Sequence, residues 1–277
     1  MATQTSIPRP VVFITGASAG IGAATVLVFA AVGYDVVLAA RRRDRLEKIA
    51  QAAKALHPAA RLLPVECDVD SDAAVKAAFE TVGNQFGRID VLVNNAGYGV
   101  YGSVERTPIE VFRANMETNF FGVIRCTQAA LPLLRNAAAE NRGRWGAAVV
   151  MVSSVIGRRT IPGMSAYCSS KYALEALSET LRVELHDERI SVSVVNPGMT
   201  QTEFVDAAKG ERPANFISPK NAMAPDAVAR VILSSVKRPR RNRYLTLAGK
   251  SVVAGQWLAP GIVDALMLRQ SWRKAKM

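Results

Sequence analysis

Short apolar runs alternate along this chain with longer segments in which apolar residues recur every three or four positions. The runs fall at 11–15, 35–40, 62–65, 89–93, 147–152, 191–195 and 244–247. Most are apolar at consecutive rather than alternate positions, the mark of a strand buried on both faces. The segments at 21–32, 44–56, 71–86, 108–139, 165–186 and 225–236 predict helices. Leu46, Ile49, Ala53 and Leu56 show the spacing, and Ser71 suits an N-cap. Strands joined by helices need crossovers, and crossovers make parallel neighbours. The pattern therefore predicts an α/β fold: a doubly wound, mostly parallel seven-stranded sheet with helices on both faces. No linker or composition shift divides the chain, so 1–277 reads as a single domain.

Two stretches break the alternation. Residues 198–223 have no clear period, and a loop of that length predicts a lid over a substrate site. Residues 250–277 form a variable C-terminal segment that is apolar, carries Trp257 and Trp272, and ends basic. Packing on its own domain is the expectation for it; a partner or peripheral membrane contact is the alternative.

Charge adds one departure from ordinary composition: 35 Lys and Arg against 23 Asp and Glu leave +12. One cluster is Arg41-Arg42-Arg43 with Arg45; others lie at 237–243 and 269–276. Such a surplus suits nucleic acid, anionic lipid, a phosphorylated ligand or simply a solvated face. No nucleic-acid motif accompanies it, so nucleic acid is not an expected partner. The isolated cysteines Cys67, Cys126 and Cys168 point to a reducing, cytoplasmic setting. The two histidines, His57 and His186, have no ligand-spaced neighbours, and no metal is expected. The first ten residues leave no room for a cleaved leader, and no long apolar run predicts a membrane span.

The first predicted strand runs into Thr15-Gly16-Ala17-Ser18-Ala19-Gly20-Ile21-Gly22 and then a helix. Glycine permits positive φ and close approach to a pyrophosphate, and the free amides of the helix face the anion. This is the context of a Rossmann dinucleotide site. At the end of the second strand an acidic residue would hold an NAD ribose. The chain instead reads Ala39-Ala40-Arg41-Arg42-Arg43. A guanidinium suits a ribose 2′-phosphate, so NADP(H) is preferred, with NAD(H) possible. Arg41 is the main candidate reader, with Arg42 beside it; Arg43 and Arg45 read as the opening of an exposed helix.

These residues resemble the short-chain dehydrogenases/reductases over roughly 10–205. The likeness rests on the glycine turn, Asp68-Val69, Asn94-Asn95-Ala96-Gly97, Asn119, Ser154, Tyr167-x3-Lys171 and Asn196-Pro197-Gly198. It implies Asp68 and Val69 beside the adenine, and Asn95, Ala96 and Gly97 lining the cofactor. Pro197 and Gly198 would pass under the nicotinamide, with Thr200 and Thr202 nearby and Thr202 on the carboxamide. The implied catalytic set is Asn119, Ser154, Tyr167 and Lys171, with Asn119 holding a water against Lys171. A small-molecule carbonyl or alcohol substrate and a homodimer or homotetramer complete the implications.

Chemistry explains the spacing. Hydride addition to a carbonyl leaves an alkoxide that needs a proton. A free tyrosine has a pKa of about 10, and a nearby ammonium lowers it. Tyr167 and Lys171, at i and i+4, share one helix face. Ser154, from the end of the fifth strand, can hydrogen-bond the substrate oxygen. Tyr98, Tyr101, Met164, Met199, Phe204 and Phe216 fall in loops expected near the cleft, which points to a lipophilic substrate. Cys168 reads as packing. The alternative function is a non-catalytic dinucleotide sensor, which has no need of the full Ser-Tyr-Lys set.

Overall fold

The computed structural model describes residues 9–210 and 222–275. Its first strand, β1 (Val11–Thr15), is buried at every position. Val12 and Ile14 enter a core closed by α1 (Gly20–Ala31), α2 (Arg43–Leu56) and α8 (Pro225–Lys237). Val11 and Phe13 enter a second core, closed by α3 (Asp72–Phe86), α5 (Gly122–Glu140) and α6 (Ser165–Glu184). Phe13 stacks on Phe79 of α3 with centroids 4.3 Å apart. Truncating either ring to alanine is expected to cost about 3–5 kcal/mol. Helices on both faces account for the continuous apolar runs.

The other strands are β2 (Asp35–Ala40), β3 (Leu62–Glu66), β4 (Val91–Asn94), β5 (Ala147–Val152), β6 (Ile190–Asn196) and β7 (Asn242–Tyr244). They form one sheet in the order β3-β2-β1-β4-β5-β6-β7, parallel at every pairing. The order reverses between β1 and β4. Loops leaving those two strands diverge, and that divergence opens a crevice at the C-terminal edge of the sheet.

Two expectations are corrected. The stretch 108–139 is not one regular helix: α4 (Ile109–Met116) passes through a π-helical turn (Glu117–Phe121) into α5. A π turn carries one extra residue and is common at functional sites. The last strand lies upstream of 244–247, because Thr246 caps a new helix, α9 (Leu247–Leu258), accepting from the Gly249 amide at 3.0 Å. The alternating Tyr244-Leu245-Thr246-Leu247 pattern imitates a strand, but the capping hydroxyl decides the local structure.

The tail folds as α9 and α10 (Pro260–Ala275). Val253 and Val263 are buried on the inner side, so packing on its own domain holds there. Trp257 and Leu258, at the corner between the helices, stay exposed at 76% and 86%. Within 198–223, a short helix α7 (Phe204–Ala207) follows β6, and Thr200 bridges to Met223. Residues 211–221, Phe216 among them, lie outside the described residues. No helix among the described residues is long and apolar enough to cross a membrane.

Candidate active site

One crevice of about 870 Å³ runs along the C-terminal edge of the sheet. Ligand sites span about 300–1,000 Å³. At one end lies the turn between β1 and α1. Gly16 has φ +65°, and a Cβ there would come 2.9 Å from the Ala96 Cα. Gly22 does not line the crevice; a Cβ on it would strike the Gly16 carbonyl oxygen at 2.2 Å. Gly22 therefore supports the turn from behind. Ala19 leaves the N-terminus of α1 without a side-chain cap or an acidic first-turn residue. Those amides, with Ser18, Ala19, Gly20 and Ile21 along the wall, fit an anionic pyrophosphate.

Thr15 ties this turn to β4, a role the sequence reading did not assign. Its hydroxyl accepts from the backbone amides of Asn95 and Ala96 at 2.9 and 3.0 Å. The Asn95 side chain donates back to the Thr15 carbonyl at 2.9 Å. Ala96 and Gly97 continue the wall. Across it, Asp68 accepts from the Asp70 amide at 3.2 Å, while the close contact of Val69 with Gly122 holds the loop after β3 on α5. Asp70, also unassigned from sequence, accepts from the Thr118 hydroxyl at 2.8 Å, and burial raises its pKa.

The arginines divide. Arg43 pairs with Glu47 along α2, as a helix-opening residue should. Arg41 lines the crevice and has no hydrogen-bond or ion-pair partner among the described residues. Arg42 donates to the Ser18 hydroxyl at 3.1 Å. Arg45, in the first turn of α2, also reaches across to Glu203 at 2.8 Å.

At the opposite end, Ser154 caps a 3-10 turn (Val155–Gly157) that leaves β5, accepting from the Ile156 amide at 3.4 Å. Tyr167 and Lys171 project from α6 and are both buried. The Lys171 ammonium lies 5.8 Å from the centre of the Tyr167 ring and donates to the Val152 carbonyl at 3.0 Å. Burial drives the Tyr167 pKa well above that of a free phenol, and the hydrogen bond with Ser154 pulls it back only in part. Desolvation of the ring is the largest influence on this phenol. Burial also lowers Lys171 to about 8, against the opposing charge of Glu175 one turn further along α6.

Asn119 sits in the π turn behind the crevice wall rather than on it. Its Oδ1 accepts from the Tyr98 amide at 3.0 Å, and its Nδ2 donates to the Tyr98 carbonyl at 3.1 Å and the Ser170 hydroxyl at 3.0 Å. A Cβ on Gly97 would lie 2.8 Å from Asn119 Oδ1 and 3.7 Å from Lys171 Nζ. The three residues meet at one point. Pro197 fixes the 3-10 turn by accepting from the Val155 amide at 3.1 Å. Gly198, Thr200 and Thr202 continue the lining, with the Thr202 methyl against Gly20.

Tyr101, Met164, Tyr167 and Cys168 form a small apolar cluster against which Ile156, Ile161 and Phe204 pack. Cys168 is buried with a raised pKa, which fits packing. Val252 of α9 and Met267 of α10 reach the same crevice. The apolar positions of the tail gave no sequence signal that would separate crevice-lining residues from exposed ones.

This geometry coincides with a family likeness. The profile described as short chain dehydrogenase matches residues 10–212. The chain belongs to that family and is an NAD(P)-dependent oxidoreductase. An uncharacterized oxidoreductase of Staphylococcus saprophyticus is 36% identical over 241 residues, covering 86% of this chain and 94% of that protein. Dehydrogenase/reductase SDR family member 7B of Xenopus laevis is 33% identical over 276 residues, covering 96% of this chain and 83% of its own. An alcohol dehydrogenase from the archaeon Thermococcus sibiricus, solved with 5-hydroxy-NADP, superposes with a TM-score of 0.74 at 30% identity, over 87% of this chain and 96% of that one.

Proposed function

We propose that this protein is an NADP(H)-dependent reductase of lipophilic carbonyls, running also as a secondary-alcohol dehydrogenase, with Tyr167 as its acid/base. One observation carries the reading. A single crevice joins the glycine turn and Arg41 at one end to Ser154, Tyr167 and Lys171 at the other. The Thermococcus enzyme, solved with 5-hydroxy-NADP, supports the choice of cofactor class.

When bound, the reduced dinucleotide supplies hydride to the carbonyl carbon. Arg41 binds the ribose 2′-phosphate as a planar, permanently charged fork. The amides of α1 hold the pyrophosphate. Ser154 Oγ donates to the substrate oxygen and orients it. Tyr167 Oη transfers its proton to that oxygen as negative charge develops. Burial keeps the phenol in its proton-bearing form until the substrate oxygen gains negative charge. Lys171 Nζ then stabilises the phenolate left on Tyr167. Asn119 positions the Tyr98 backbone and a water that returns a proton by way of Lys171.

The apolar cluster of Tyr101, Met164 and Phe204 excludes water and selects a lipophilic substrate. Assembly as a homodimer or homotetramer uses the π turn and α6, where Phe121, Tyr172 and Val183 are exposed. The test is a panel of ketones and alcohols with NADPH and NADH, read by nicotinamide absorbance. Turnover of aryl or long-chain ketones, fastest with NADPH, is expected. No turnover of any compound with either cofactor overturns the reading.

A further inference from the structure

The chain places no carboxylate at the end of β2, yet one arrives there from across the crevice. Glu203, immediately ahead of α7, accepts from Arg45 Nη1 with both oxygens, at 3.0 and 2.8 Å. Arg42 Nη1 lies 3.6 Å from the same carboxylate. Arg42 Nη2 in turn donates to Ser18 in the phosphate turn at 3.1 Å. Glu203 is held from both sides in sequence. The Thr202 methyl packs where a Cβ on Gly20 would be, at 2.9 Å, and the Phe204 ring lies 5.4 Å from that of Tyr167. The carboxylate is therefore delivered to the arginines by a segment fixed at the phosphate turn and at the catalytic ring.

We propose that Glu203 is a specificity-determining residue that occupies Arg42 and Arg45 in place of a ribose 2′-phosphate and thereby moderates the preference for NADPH over NADH. The proposal rests on the dinucleotide reading above. A 2′-phosphate is a dianion. To use Arg42 or Arg45 it must displace the carboxylate, and to use Arg41 alone it forgoes two guanidiniums that Glu203 already occupies. A ribose 2′-hydroxyl carries no charge and meets neither obstacle. The pairs are exposed and individually weak, so the carboxylate yields to the phosphate rather than blocking it. Its effect is on the ratio of affinities, not on whether the nucleotide binds.

The test is direct titration of the full chain with NADPH and with NADH, without substrate, read by fluorescence of the reduced nicotinamide. Calorimetry with adenosine 2′,5′-bisphosphate, against adenosine 5′-monophosphate, isolates the 2′-phosphate. Glu203→Gln is expected to tighten NADPH and the bisphosphate about threefold to tenfold, with NADH changed by less than about twofold. Glu203→Asp keeps the charge and is expected to move NADPH less than the amide does. The unchanged NADH affinity reports an intact fold. An unaltered NADPH/NADH ratio in Glu203→Gln overturns the proposal. So does weaker NADPH binding, which would make Glu203 a scaffold for the arginines. A parent chain that binds neither nucleotide sinks the dinucleotide reading and this inference with it. Equal parent affinities, with the amide variant turning NADPH-selective, refute only the NADP preference and support the role of Glu203.

Discussion

The two ends of the crevice handle charge in opposite ways. At the adenosine end, Arg42, Arg45 and Glu203 are open to solvent, with side chains 45%, 41% and 58% exposed. Screening keeps their pairings weak and exchangeable. At the catalytic end, Tyr167 and Lys171 are nearly sealed, at 6% and 5%. Burial there outweighs every neighbouring charge and pushes both groups toward their neutral forms. The same crevice thus has an open end governed by small, competing charges and a sealed end governed by desolvation, which the proposed function uses for recognition and for reaction. Substitutions at the sealed end are expected to act on rate, and those at the open end on affinity ratios.

The most damaging change should be Tyr167→Phe, which removes the proton donor and leaves the packing. Turnover is expected to fall by about 10²–10⁴-fold with NADPH affinity unchanged. Steady-state rates beside a nucleotide titration check this, and retained activity refutes the acid/base role. Arg41→Asp comes next: reversing this guanidinium, which lines the crevice and has no ion-pair partner among the described residues, is expected to weaken NADPH about 10–100-fold and NADH far less. An unchanged ratio makes Arg41 a surface residue. Proton supply at the buried end should also depend on pH. Lys171 titrates at about 8, so it is ammonium below that value and neutral above it. The reduction rate is expected to decline as pH rises through this range, by up to about tenfold per unit. A rate flat to pH 10 would remove Lys171 from the proton step. The mildest effect is expected from Met267→Ser in α10, which makes one wall of the crevice polar. KM for a lipophilic ketone should rise by about threefold to tenfold while NADPH affinity holds.

Legibility from sequence followed the same division. Tyr167 and Lys171 could be read together because four residues make one helical turn, whatever surrounds it. Gly16, Gly20 and Gly22 announced the turn because a Cβ at any of them would meet a neighbour at 2.9 Å or closer, and the positive φ of Gly16 and Gly20 favours glycine. The meeting of Arg45 with Glu203 carried no such signal, since 158 residues separate them. The π turn was hidden as well. Its residues suit an ordinary helix, and only Asn119 and Asn115, both bonded to the Tyr98 carbonyl, mark the irregularity. In the tail, Val252 and Trp257 are equally apolar on paper; one lines the crevice and the other faces solvent.

Sequence alone determined what depends on neighbours along the chain: the parallel α/β order, the glycine turn between β1 and α1, and the tyrosine-lysine pair on one face of a helix. Tertiary structure decided what depends on distant segments and on the surrounding medium. It set which arginines are already engaged, how far burial shifts a phenol and an ammonium, and which side of the C-terminal helices closes the crevice. The physical reason is that backbone geometry is local, whereas charge pairing and desolvation are set by whatever the fold brings within a few ångströms.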